Sequence, residues 1–152
     1  MTFLEKEKRM IKQLNNLTEN ELTTLSDIWL KSNIDAHAFI SEDYWLSNQA
    51  AVKEAFSQAS IYAYFQEGTI VGFLGMMDDY IAGIFVLTSY RSLGIGTQLL
   101  NTVKSDHQQL TLTVYKKNAA ALRFYQKNHF DSQEERLDPE TNESEVLMSW
   151  QA

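Results

Sequence analysis

Residues 60–88 carry three runs rich in β-branched and aromatic residues, "SIYAYFQ", "TIVGFLGMM" and "YIAGIFVLT", separated only by Glu67-Gly68 and Asp78-Asp79. Runs of this composition read as strands, and a two-residue break containing glycine is a hairpin signal. The centre of the chain is therefore predicted to be a three-stranded antiparallel meander, and the flanking segments must pack on it.

Upstream, "MIKQL" from Met10 reads as a short strand. Thr18 then stands at the cap position of "ENELTTLSDIWLKS", where Leu22, Leu25, Ile28, Trp29 and Ile34 recur at helical spacing. "NIDAHAFISED" (33–43) breaks the pattern, and "YWLSNQAAVKEAFSQ" (44–58) restores it behind acidic residues that suit a helix start. Downstream, Ile95, Leu99, Leu100 and Val103 mark a helix to about residue 107, "LTLTVY" (110–115) alternates as a strand, and Asn118 caps "AAALRFYQKN". "HFDSQEERL" and "SEVLMSW" close as strands around the acidic turn "DPETNE". The predicted order is β-α-α-β-β-β-α-β-α-β-β.

At 152 residues, 44% of them hydrophobic, the chain suits one globular domain. We place that domain at residues 10–152, with the charged stretch "MTFLEKEKR" (1–9) as a loosely attached extension. That stretch lacks the apolar core of a secretion signal, and no apolar run reaches the roughly 18 residues of a membrane helix. The expectation is a cytoplasmic protein that engages no membrane. Without cysteine there is no disulfide, no thiol nucleophile and no thiolate metal site, and no metal is expected.

The net charge of −7 argues against nucleic acid as a partner, but it is unevenly spread. Residues 1–89 hold 6 Lys/Arg against 12 Asp/Glu, residues 90–130 hold 6 against 1, and residues 131–152 hold 1 against 7. The basic segment opens with "YRSLGIGTQLL" (90–100). A Gly-x-Gly turn between a strand and a helix start aims unpaired backbone N–H groups and the positive end of the helix dipole at one point, which makes an anion site of the phosphate-cradling kind. A P-loop would need Lys after Gly96, where Thr97 stands. A dinucleotide fingerprint would need glycine at 99, where Leu99 stands.

What remains, Arg91-Ser92-Leu93-Gly94-Ile95-Gly96, resembles the pyrophosphate-binding motif of the GNAT superfamily of acyl-CoA-dependent N-acetyltransferases. "LTLTVYKKNAAALRFYQKNHF" (110–130) resembles that family's later motif, a strand, an asparagine and a helix carrying Phe-Tyr. The likeness extends over Met10 to Trp150, with "DIWLKSNIDAHAFISEDYW" and "LMSW" most like the bacterial YiaC and YjaB-type branch. It implies an α/β (α+β) GNAT-type fold: a mixed, mostly antiparallel sheet of six to seven strands, flanked by four helices, with strands 4 and 5 splayed apart.

The resemblance also implies acetyl-CoA as acyl donor, with Ile84, Phe85 and Val86 offering main-chain groups to its pantetheine arm. Arg91, Ser92, Leu93, Gly94, Ile95, Gly96 and Thr97 would hold its pyrophosphate. Asn118 reads both as a helix cap and as a partner of the pantetheine or the amine. Tyr125 would supply the proton or hydrogen bond that eases departure of the thiolate. Phe124 reads as core. Lys116, Lys117, Arg123 and Lys127 read as a solvated face.

The partner would be an amine acceptor, a small molecule or a protein, attacked directly in a ternary complex by a monomer or homodimer. The resemblance places the acceptor pocket between the first two helices, where His37, Phe39, Glu42 and Tyr44 are candidate acceptor residues; Tyr80 and Tyr115 join them as candidates to hold, with His37, Glu42 and Tyr44, a water chain in place of a base. Position 113, where a base could stand, is Thr, which leaves the base unassigned. That gap keeps a second reading open, a non-catalytic acyl-CoA-binding module. Two positions depart from the family pattern: Ser89, in place of a turn former, and His129, in place of glycine, where Asn128 is expected to take the left-handed cap instead.

Overall fold

The computed structural model describes residues 10–152. The extension expected at residues 1–9 lies outside the described residues. The elements are β1 (Ile11–Leu14), α1 (Glu19–Ala36), α2 (Glu42–Phe56), β2 (Ser60–Gln66), β3 (Thr69–Met77), β4 (Tyr80–Val86), a 3-10 turn (Thr88–Tyr90), α3 (Ile95–Lys104), β5 (Gln109–Tyr115), α4 (Ala119–Lys127), β6 (Asp131–Asp138) and β7 (Glu143–Gln151). The strands form one seven-stranded sheet in the order β1-β2-β3-β4-β5-β7-β6.

The meander forms as its turns require. Glu67 and Gly68 both adopt positive φ, 50° and 80°, so the β2–β3 turn twists with the strands it joins. Side chains alternate across the sheet, so each strand feeds two cores. Ile61, Ala63 and Phe73 face α1 and α2, whereas Tyr62, Tyr64 and Leu74 join Leu99, Leu100 and Val103 of α3 and Tyr125 of α4 on the opposite face. Helices therefore cover both faces of the centre. β6, with its side chains almost entirely exposed, ends the sheet as a charged edge that discourages pairing with another chain.

Two boundaries correct the sequence reading. Asn33 to Ala36, read as the start of a break, form the last turn of α1, and Glu42 and Asp43 open α2 beneath the Ser41 cap. The apolar stripe of α1 continues one turn further with buried polar residues, Ser32 and Asn33, and composition alone hides the continuation. The second correction lies at the end of α4. His129, not Asn128, takes the left-handed conformation, at φ 71°. Phe130 N–H donates to the Tyr125 carbonyl at 2.9 Å and His129 N–H to that of Gln126 at 3.1 Å, a Schellman closure. The Phe130 ring meets the Tyr125 ring edge-on, so this closure also fixes Tyr125. At Ser89, the 3-10 turn forms without proline, held by Tyr90 N–H to the Leu87 carbonyl.

β4 and β5 form the one parallel pair in the sheet, and they pair only at Tyr80 with Thr111 and Ile81 with Leu112. Beyond those two rungs the strands part, as the resemblance implied.

Candidate active site

The parting exposes one edge of β4. Residue 87 donates to the Val71 carbonyl, so Phe85, two residues back, also turns its main chain toward β3, and Ile84 and Val86 turn theirs into the gap. The Val86 carbonyl is held there by Arg91 Nε at 3.2 Å and by Ser32 Oγ at 3.4 Å. Of the three residues expected to offer main-chain groups to a pantetheine arm, Ile84 and Val86 turn theirs into the gap, while Phe85 turns its main chain toward β3 and its ring packs, tilted, on Phe73.

Beyond β4 the chain makes the glycine turn. Thr18, Ser41 and Asn118 cap their helices through side chains, but α3 begins at Gly94 with no side-chain cap. Its first internal bond is Gln98 N–H to the Gly94 carbonyl, which leaves the N–H groups of Ile95, Gly96 and Thr97 directed outward. Gly94 is needed for its φ of 80°. At Gly96 the constraint differs from the one the motif suggests: a Cβ there would lie 3.1 Å from the Phe124 ring, which would have to shift. Phe124, read as plain core, thus sets how closely α4 approaches the turn. Leu93 projects outward at 64% exposure and does not border the cleft.

Two cavities meet in the gap. A cleft of about 510 Å³ runs from the glycine turn along Ile84 to Val86 and the start of α4. A second, of about 270 Å³, opens between β4 and β5 toward Tyr80, Thr113, Tyr115 and Glu145. Both are bordered by Asn33, His37, Asn118 and Tyr125. Tyr125 is 7% exposed, and burial, reinforced by Tyr80, pushes its phenol far above the usual range, so the hydroxyl stays a proton donor.

Asn118 caps α4 as its position suggested, and its side-chain amide also reaches His37, a partner the sequence did not indicate. Its Oδ1 accepts the Ala121 N–H at 3.2 Å, and its Nδ2 donates to His37 Nε2 at 3.1 Å. His37 Nδ1–H in turn donates to the Asn33 carbonyl at 3.1 Å, so these contacts select one neutral tautomer. The ring stacks on Trp45 and meets Phe39 and Tyr115 edge-on. Burial lowers the His37 pKa, outweighing the bond to Asn33. With both nitrogens engaged, His37 is a strut across the gap rather than a base.

The other acceptor candidates divide. Tyr80 and Tyr115 border the second cavity; Tyr80 Oη donates to Thr113 Oγ1 at 3.3 Å and Tyr115 Oη to Asp138 Oδ2 at 2.7 Å. Phe39, Glu42 and Tyr44 border neither cavity. Phe39 backs the His37 ring, Glu42 is an exposed first-turn residue of α2, and Tyr44 Oη donates to Glu140 Oε2 at 2.9 Å. Burial and that bond to Glu140 push the Tyr44 phenol up to about 12.

The carboxylate that does border the second cavity is Glu145 of β7, which sequence reasoning missed. It stands opposite Tyr115 in register and is paired to Arg136 Nε at 3.1 Å. The basic segment is likewise partly neutralised by the acidic tail, through Lys116 with Glu135 and Lys117 with Glu143. Arg91 makes no carboxylate pair among the described residues. No group of side chains among them could hold a metal ion.

Comparison with known proteins fits this geometry. The model of the acetyltransferase (GNAT) family matches residues 20–130. Peptidyl-lysine N-acetyltransferase YiaC of Escherichia coli K12 is 32% identical over 133 residues, covering 86% of this chain and 91% of YiaC. Peptidyl-lysine N-acetyltransferase YjaB of the same organism is 25% identical over 122 residues, covering 80% and 83%. The solution structure of apo YjaB superposes with a TM-score of 0.79 at 23% identity, covering 92% of this chain and 95% of that one. An aminoglycoside 6'-N-acetyltransferase complexed with coenzyme A shares the fold, with a TM-score of 0.68 at 14% identity over 93% and 96% of the two chains.

Two outcomes follow from the packing. Gly96→Ala forces its methyl group against Phe124 and will lower the melting temperature, and Phe124→Leu in the same chain will recover most of the loss; thermal denaturation of the single and double variants checks this. Neutral His37 contributes fully above about pH 6.5, and because burial lowers its folded-state pKa, the unfolded chain binds the proton first as pH falls. Stability will therefore drop from pH 7 toward pH 5 more steeply in the wild type than in His37→Gln, as read by urea midpoints at each pH.

Proposed function

This chain belongs to the acetyltransferase (GNAT) family, and from that premise we propose that it moves the acetyl group of acetyl-CoA to the side-chain amine of a lysine in a protein or peptide. The observation that carries the proposal is the meeting of two cavities at Asn33, His37, Asn118 and Tyr125, one leading from the anion cradle and one from the opposite side of the parted strands. A donor and an acceptor can reach one point from separate entrances, as direct transfer in a ternary complex demands.

The donor side fits coenzyme A on chemical grounds. Outward N–H groups of Ile95, Gly96 and Thr97, with Arg91 beside them, suit a pyrophosphate. The edge of β4 at Ile84 and Val86 suits the amides of a pantetheine arm, which would take the place of the missing strand partner. Acetyl-CoA supplies an activated acyl group; the protein positions it and disperses charge.

On the acceptor side, Glu145 lies where an incoming ammonium group would be drawn in, beside the rings of Tyr80 and Tyr115. A lysine side chain matches an opening that is aromatic along its walls and anionic at one end. The names of YiaC and YjaB support the same acceptor class. Tyr125 donates its proton to the departing sulfur, and its raised pKa keeps the proton in place until negative charge develops there.

Acetyl transfer to lysine-containing peptides, measured beside amino acids, polyamines and aminoglycosides, tests the proposal. Lysine peptides will be preferred; transfer to another acceptor alone would refute the assignment. Tyr125→Phe will lower kcat by about 100-fold, the scale of general acid catalysis, with acetyl-CoA affinity within about two-fold of the wild type on the same scale of differential effect. Equal losses in both would remove the acid role.

A further inference from the structure

Asn33 lies outside both the glycine turn and the Asn118–Tyr125 motif, yet it is 6% exposed and borders both cavities at their meeting point. Its amide orientation follows from chemistry. Nδ2 donates to the Trp29 carbonyl at 2.9 Å, and a carbonyl can only accept, so Oδ1 must face the other way. Oδ1 has no hydrogen-bond partner among the described residues, and it is not among the sealed, unsatisfied atoms of the core, where Trp45 Nε1 is found. A buried amide oxygen without a partner is costly unless something reaches it, and the residue that carries this one borders both cavities.

The other polar side chains at the junction are committed elsewhere. The Tyr125 hydroxyl stays protonated and is the donor for the departing sulfur. Asn118 Oδ1 is committed to Ala121 N–H, which leaves its Nδ2 as a donor. His37 has its Nδ1–H on the Asn33 carbonyl and its Nε2 occupied by Asn118. Asn33 Oδ1 is thus the uncommitted amide oxygen at the junction, beside the Tyr125 hydroxyl.

Direct attack needs such an acceptor. The amine must point its lone pair at the thioester carbon, and its N–H bonds must point elsewhere. We propose that Asn33 Oδ1 accepts an N–H of the attacking amine and so orients its lone pair. This rests on the acetyltransferase reading above and extends it to a residue on α1. The incoming ammonium first gives one proton to water in the second cavity; the freed nitrogen lone pair then forms the C–N bond, the C–S bond breaks, and the sulfur takes the Tyr125 proton. The extra proton on nitrogen passes to water in the second cavity, and the Tyr125 oxygen recovers a proton from that water. Asn33 neither gains nor loses one.

The test compares wild type, Asn33→Leu and Asn33→Asp. Leu keeps the shape without hydrogen bonding. Asp keeps an oxygen for the amine but loses the N–H given to Trp29. Transfer kinetics on a lysine peptide are measured with coenzyme A affinity by titration calorimetry, melting temperature, and affinity for a bisubstrate probe in which the lysine nitrogen is joined to coenzyme A through an acetyl bridge. Asn33→Leu will lose about 100-fold in kcat/KM for the peptide, the size of a misoriented attack. It will lose at least ten-fold of the probe's affinity advantage over coenzyme A, with coenzyme A affinity unchanged. Asn33→Asp will recover at least ten-fold of the lost kcat/KM.

If coenzyme A affinity falls in parallel with turnover, Asn33 holds the donor and the inference is overturned. If Asp is no better than Leu, the bond to Trp29 was what mattered and the inference is likewise overturned. An active wild type with an equally active Leu variant overturns this inference alone. A wild type that binds coenzyme A but transfers to no amine overturns the acetyltransferase reading, and this inference with it.

Discussion

The structure turns on a ladder that stops after two rungs. β4 and β5 pair at Tyr80 with Thr111 and Ile81 with Leu112 and then diverge, in the middle of a sheet that is otherwise continuous. Parting two central strands strands main-chain donors and acceptors, and buried groups of that kind must find other partners. Each side of the gap is held by contacts that replace the ladder. The end of β4 is tied to α1 through Thr88 to Asp35 and Ser32 to Val86, and to its own turn through Arg91. The end of β5 is tied to the β6–β7 hairpin through Tyr115 to Asp138 and Lys116 N–H to the Ser144 carbonyl.

One chain of contacts crosses the opening. From the Asn33 carbonyl through His37 to Asn118, and from Asn118 to the first turn of α4, hydrogen bonds join the two halves on either side of the gap. The aromatic rings of Trp45, Phe39 and Tyr115 enclose the imidazole, which keeps it neutral and makes the crossing sensitive to acid. The same crossing places Asn33, Asn118 and Tyr125 around one point. The strut that holds the gap open and the groups that could act within it are largely the same residues.

Much of this was legible in the sequence because local rules govern it. Two-residue turns dictated the meander, the glycine turn marked an uncapped helix start, and Asn118 announced a cap. Roles that depend on a distant partner were not legible. Glycine at 96 answers to Phe124, twenty-eight positions on. Glu145 belongs to the second cavity because it pairs in register with Tyr115, and nothing in "NESEVLMSW" marks one glutamate above its neighbours. Asn33 did carry a signal. Continuing the stripe of Leu25, Ile28 and Trp29 by one turn reaches Ser32 and Asn33, and polar residues on a buried stripe ask to be explained.

The central claim is that coenzyme A completes the gap between β4 and β5. A crystal structure of the protein with coenzyme A tests it most directly. The account predicts the pyrophosphate on the N–H groups of Ile95, Gly96 and Thr97, the pantetheine amides on the edge of β4 at Ile84 and Val86, and the sulfur beside Tyr125 and Asn33. A pantetheine arm lying outside the gap, with the main chain of Ile84 and Val86 untouched, would contradict it.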